Sequence, residues 1–177
     1  MRRAATLLVL SLMSSCASAS GDAGGSGGPA KWGDREPVVY AIAVAEVLDD
    51  LGSPPPVVFV VDGVCSEAGQ LEPSKLGCGA SIPTEVRAAL TEQLGRYAAV
   101  EFVAEPEDAL EGDAIRDDGL LFWFGPVKDR KSGEVRVGAT YASSLSDEAA
   151  LGVNLALENY AGSWVVTGAA GLGGCPA

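Results

Sequence analysis

The chain has 177 residues, with 12 Lys+Arg against 24 Asp+Glu and no histidine. That composition excludes Ser-His-Asp and Cys-His nucleophile pairs, His-ligated zinc and His proton shuttles. The negative charge repels nucleic acid, and no basic stripe offsets it, so no nucleic-acid partner is expected.

The N-terminus reads as an export signal. Arg2 and Arg3 precede a run from Ala4 to Met13 that is apolar apart from Thr6 and Ser11. This is the length of a signal-peptide core, well short of the roughly 20 residues of a spanning helix. Two cleavage sites compete. Ala17-Ser18-Ala19 fits ordinary signal peptidase, which would release the chain at Ser20. Met13-Ser14-Ser15-Cys16 resembles the lipobox of bacterial lipoproteins, with Met13 where that family usually carries Leu. The resemblance implies cleavage after residue 15 and a diacylglyceryl group on Cys16. It also implies export and anchoring to the cell membrane, or to the outer membrane of a cell that has one. The stretch "ASASGDAGGSGGPAKWGD" that follows is too poor in apolar residues to fold, and reads as a flexible tether over 16–35. It favours the anchored reading over the secreted one. Removal of the leader leaves 10 Lys+Arg against 24 Asp+Glu, a net charge of −14.

One domain is expected over 36–172. "EPVVYAIAVAEVLDDL", 36–51, reads as a helix whose buried face carries Tyr40, Val44, Val47, Leu48 and Leu51, with Gly52 as its stop. "SPPP" forces an extended break, and "VVFVVD", 57–62, is short and β-branched enough to be a central strand. Cys65 and Cys78 enclose a polar loop. Without His, and at a spacing foreign to zinc sites, they are expected to form a structural disulfide in an oxidising compartment. "SIPTEVRAALTEQLGRY" gives a second amphipathic helix through Val86, Leu90 and Leu94, with Ser81 or Thr84 as its cap. "AVEFVAE", 99–105, alternates like a strand. An acidic connector, "PEDALEGDAIRDDG", separates it from four further strands at "LLFWFGPV", "VRVGATYASS", "GVNLALEN" and "SWVVTG". The expected fold is α+β: two helices on one face of a mostly antiparallel, curved sheet of about six strands. Residues 173–177 are a tail, and Cys175 within it has no assigned partner.

The last hairpin, Leu155-Ala156-Leu157 followed by Gly162-Ser163-Trp164-Val165-Val166, resembles the ending of exported cystatin-like and NTF2-like domains. That resemblance implies a sheet wrapped around a helix. Phe122, Trp123, Phe124, Tyr141 and Trp164 would line its pocket if they shared a concave face, and would otherwise be core.

The acidic pairs Asp49-Asp50 and Asp117-Asp118 are the material for carboxylate catalysis, and surface acids are the simpler reading. Glu111, Asp113, Asp117 and Asp118 suggest calcium but lack the ligand register of an EF-hand loop. "TGAAGLGGC", 167–175, lacks the lysine of a phosphate loop and reads as a flexible tail. No catalytic residue, metal ligand or cofactor is therefore expected. The functional expectation is a membrane-anchored lipoprotein whose acidic domain is a non-catalytic binding or interaction module of the cell envelope, its partner an envelope protein or a small ligand. The alternatives are a small-ligand-binding NTF2-like domain and a carboxylate-dependent envelope hydrolase.

Overall fold

A computed structural model describes residues 32–66, 68–69, 76–130, 132–145 and 150–172. Cys16 and Cys175 lie outside the described residues. Helix α1 spans Glu36–Leu51 with Pro37 in its first turn, and Gly52 ends it in the left-handed conformation at φ 69°. Helix α2 spans Thr84–Leu94 and buries Val86, Leu90 and Leu94 as their spacing predicts. It starts without the expected hydroxyl cap: Pro83 takes the cap position and no side chain bonds there.

The strands are β1 (Val57–Val64), β2 (Ala99–Val103), β3 (Leu110–Glu111), β4 (Ala114–Ile115), β5 (Leu120–Phe124), β6 (Lys128–Asp129), β7 (Val135–Ala142), β8 (Ala150–Tyr160) and β9 (Ser163–Leu172). Seven of them form one sheet in the order β2-β1-β5-β7-β8-β9, with β6 beside β7, while β3 and β4 make a separate small hairpin. The α+β class holds, but the sheet is mixed. β1 pairs in parallel with both β2 and β5, and only the run from β5 to β9 is antiparallel. The physical reason is the β1–α2–β2 order, because a strand that returns through a helix re-enters the sheet in the same direction.

Both helices cover one face of this sheet. Val39, Tyr40, Val44, Val47 and Leu48 of α1 meet Val58, Val60, Phe122, Phe124, Val137 and Leu155 in one buried cluster. The other face is also covered. Phe59, Val61, Leu121 and Trp123 pack there with Cys65, Ala109 and Ile115, from the disulfide segment and the acidic connector. All five residues of β5 are consequently buried, as in a strand sandwiched between two layers.

The Cys65–Cys78 disulfide forms as expected and sits within an antiparallel bridge. Its segment lies across β7 and β8. Gly69 N–H donates to Thr140 Oγ1 at 2.9 Å, and a Cβ on Gly138 would come within 2.2 Å of the Ala68 carbonyl oxygen. Asp62 on β1 secures the far side of this segment. It accepts from Ile82 N–H at 2.9 Å and from Arg87 Nη2 at 2.6 Å, while Arg87 Nε donates to the Ile82 carbonyl at 2.7 Å.

The β8–β9 hairpin turns on Ala161 and Gly162, both with positive φ, as in a primed two-residue turn. β9 runs on to Leu172, so the first part of the glycine-rich stretch is a paired strand rather than a tail.

Candidate functional site: a cleft opposite the N-terminal attachment

The two ends of the sheet differ in what they carry. At the first end, the chain entering α1 is fastened to the domain. Glu36, 5 % exposed, accepts from Gly33 N–H at 2.7 Å and from Arg35 Nε at 3.0 Å. Arg35 forks onto Asp129 of β6 at 2.5 and 3.2 Å, which raises the arginine's affinity for its proton and holds the Asp129 carboxyl below the usual carboxylate range. Trp32 packs edge-on against Tyr40, and Tyr40 Oη donates to the Gly125 carbonyl just after β5. Burial pushes the Tyr40 phenol well above its ordinary value, so it remains a donor throughout the physiological range. Trp32, Gly33 and Arg35 thus make defined contacts with α1 and β6.

The second end lies at the other end of the eight-residue β1, about 23 Å away at the rise of an extended strand. Here Leu51, Ser53 and Pro54–Pro56 face Ala114, Ile115, Asp118, Gly119, Leu120 and Ser143 across an open cleft of about 490 Å³. Each wall has a local cause. The three prolines cannot continue α1 and hold the link to β1 extended, presenting ring carbons to solvent. Ile115 is pinned to the segment after β7 by its N–H to the Ser143 carbonyl at 3.3 Å. Asp117 and Asp118 take consecutive left-handed conformations at φ 57° and 50°, which reverses the chain before β5. Leu51, expected in the core, is instead 46 % exposed at the last residue of α1. Leu151, across from Tyr141 at this same end, is 39 % exposed.

One acid lines the apolar floor and others lie near it. Asp118 lines the cleft, and Glu111 and Asp113 line a second opening that shares Ala114 with it. Asp49 and Asp50 stand exposed at the end of α1. Burial, and then the negative charge of Asp50, raises the Tyr141 phenol. The nearby cation Arg116 is engaged by Glu101 at 2.6 Å and stacks 4.5 Å over the Phe59 ring.

The five aromatic residues expected at a pocket do not share one face. Phe122 and Phe124 point to the helix side, where Phe124 stacks on Tyr40 at 4.5 Å and Phe122 on Tyr141 at 5.7 Å. Trp164 packs against the rim of the same cluster. Trp123 belongs to the opposite cluster, because successive strand residues alternate sides. Phe122, Trp123 and Phe124 are at most 1 % exposed, so they fill interior space rather than line an opening.

The acids do not gather around a cation: among the described residues, no group of three or more His, Cys, Asp or Glu side chains is placed to hold a metal ion. Sequence reasoning missed the cleft, although the run Leu51-Gly52-Ser53-Pro54-Pro55-Pro56 carried a signal for it. An apolar residue at a helix end followed by prolines leaves side chains that the helix face cannot bury. Among the described residues no helix is long and apolar enough to cross a membrane. No protein family, curated protein or solved structure matches this chain.

Proposed function

We propose that this protein is exported, anchored to the cell membrane by a lipid on Cys16, and serves as a non-catalytic binding module of the cell envelope whose partner is another protein. The observation that carries this reading is the distribution of apolar surface. Both faces of the sheet are filled by side chains, and a solvent-open apolar cleft remains at the end opposite the N-terminal attachment. A filled interior with an open apolar patch suits a protein partner better than an enclosed small ligand. The Cys65–Cys78 disulfide fits an oxidising compartment. The lipobox-like Met13-Ser14-Ser15-Cys16 supplies the anchor, and the attachment at Trp32–Arg35 turns the cleft away from the membrane.

Intact mass spectrometry of the mature protein, beside a Cys16→Ala variant, tests the anchor. The expected mass begins at Cys16 and includes a diacylglyceryl group, which the variant lacks. A chain beginning at Ser20 and free in the medium would overturn the anchored reading.

A further inference from the structure

We infer that the cleft between the Pro54–Pro56 segment and β5 binds a basic, extended segment of a partner protein, in which Lys or Arg flanks an apolar side chain. The inference rests on the reading of the domain as an envelope binding module and names the chemistry of its partner. The floor is apolar, built from Leu51, the prolines, Ile115 and Leu120, and accepts an aliphatic or proline side chain. The rim carries charge of one sign. Asp118 lines the cleft, Asp50 precedes Leu51 at the end of α1, Glu111 and Asp113 line the adjoining opening, and all four are exposed.

Arg116 does not neutralise this rim, since Glu101 already engages its guanidinium. Charge complementarity therefore selects a cationic occupant and rejects an anionic lipid surface or an acidic peptide. The opposite end, where the lipid tether would attach, is different in kind: Arg35 and Arg136 there pair with Asp129, Glu36 and Glu134. An extended segment can lay its side chains along the Pro54–Pro56 wall, which has no backbone N–H to offer. The occupant must then be recognised through its side chains.

Calorimetric titration tests this on the purified mature chain, whichever residue it begins with, so that failure of the anchor and failure of the cleft remain separate results. The probe is acetyl-Lys-Pro-Leu-Lys-Pro-Leu-Lys-amide, with its Glu-for-Lys counterpart as the reference. At low ionic strength the lysine peptide is expected to bind and the glutamate peptide not to bind. The double variant Asp50→Asn, Asp118→Asn should weaken binding about tenfold, a difference that shrinks to within about twofold at high salt. Asn tolerates the left-handed backbone of Asp118, so this variant keeps the fold. Leu51→Ser should weaken binding at every salt concentration, and Glu158→Gln, at the far end of the sheet, should leave it within about twofold. Absence of lysine-peptide binding, or equal losses from Glu158→Gln and the Asp50/Asp118 pair, would overturn the inference. So would binding of anionic phospholipid vesicles that Leu51→Ser abolishes, because the cleft would then be a lipid-docking site.

Discussion

Gly138 shows how a single position can hold two layers together. It sits in the middle of β7, where glycine ordinarily weakens a strand, and its missing side chain makes room for the Ala68 carbonyl of the disulfide segment. Gly138→Ala should therefore force that segment away from the sheet and cost about 1–3 kcal/mol, as overpacking does elsewhere. Urea unfolding checks the expectation, and an unchanged midpoint would mean that the segment shifts freely. The aromatic triplet on β5 gives the complementary case. Phe122, Trp123 and Phe124 were recognisable as apolar and strand-forming, yet strand alternation sends Trp123 to one face and its neighbours to the other. Their identity was legible in the sequence. The burial of both faces was not, because it depends on the acidic connector and the disulfide segment folding over the second side.

At the scale of elements, the sequence was most informative where periodicity ran longest. Helix α1 begins and ends at the expected residues, since Pro37 and Gly52 punctuate it and its apolar residues repeat at helical spacing. The parallel pairing of β1 was missed, because strand direction follows from what lies between strands, and a helix there requires a crossover. The Cys65–Cys78 segment is tied down by the disulfide together with ladder bonds, including Gly79 N–H to the Val64 carbonyl at 2.9 Å. Replacing both cysteines by alanine should lower the unfolding free energy by about 3 kcal/mol, the loop-closure entropy for a loop of this length. The shift should be visible as a lower denaturant midpoint at nearly constant slope. A negligible shift would show that residual structure already restrains the unfolded chain without the bridge.

For the whole molecule, the arrangement that matters is polarity from end to end. The N-terminal attachment, fastened by Glu36, Arg35 and Asp129, lies at one end of the sheet, and the cleft bounded by Leu51 and Leu120 lies at the other. In a lipid-anchored chain, a fluorophore on Ser163→Cys should be quenched by lipid-borne quenchers more strongly than one on Ser53→Cys, each in a Cys175→Ser background. Both positions are exposed, Ser163 at the end of the sheet near α1's N-terminus and Ser53 at the cleft. Equal quenching would mean that the domain has no preferred orientation above the bilayer.

The sequence by itself determined the disulfide pair, the acidic charge and most helix and strand positions. These are encoded in local runs of residue type and in side-chain periodicity. Only the tertiary structure decided the mixed direction of the sheet, the filling of both its faces and the meeting of Leu51, three prolines, Ile115 and Leu120 in one cleft. Those residues are separated by up to about 70 positions in the chain. Contacts at that separation arise from the order in which strands add to a sheet, which no local pattern records.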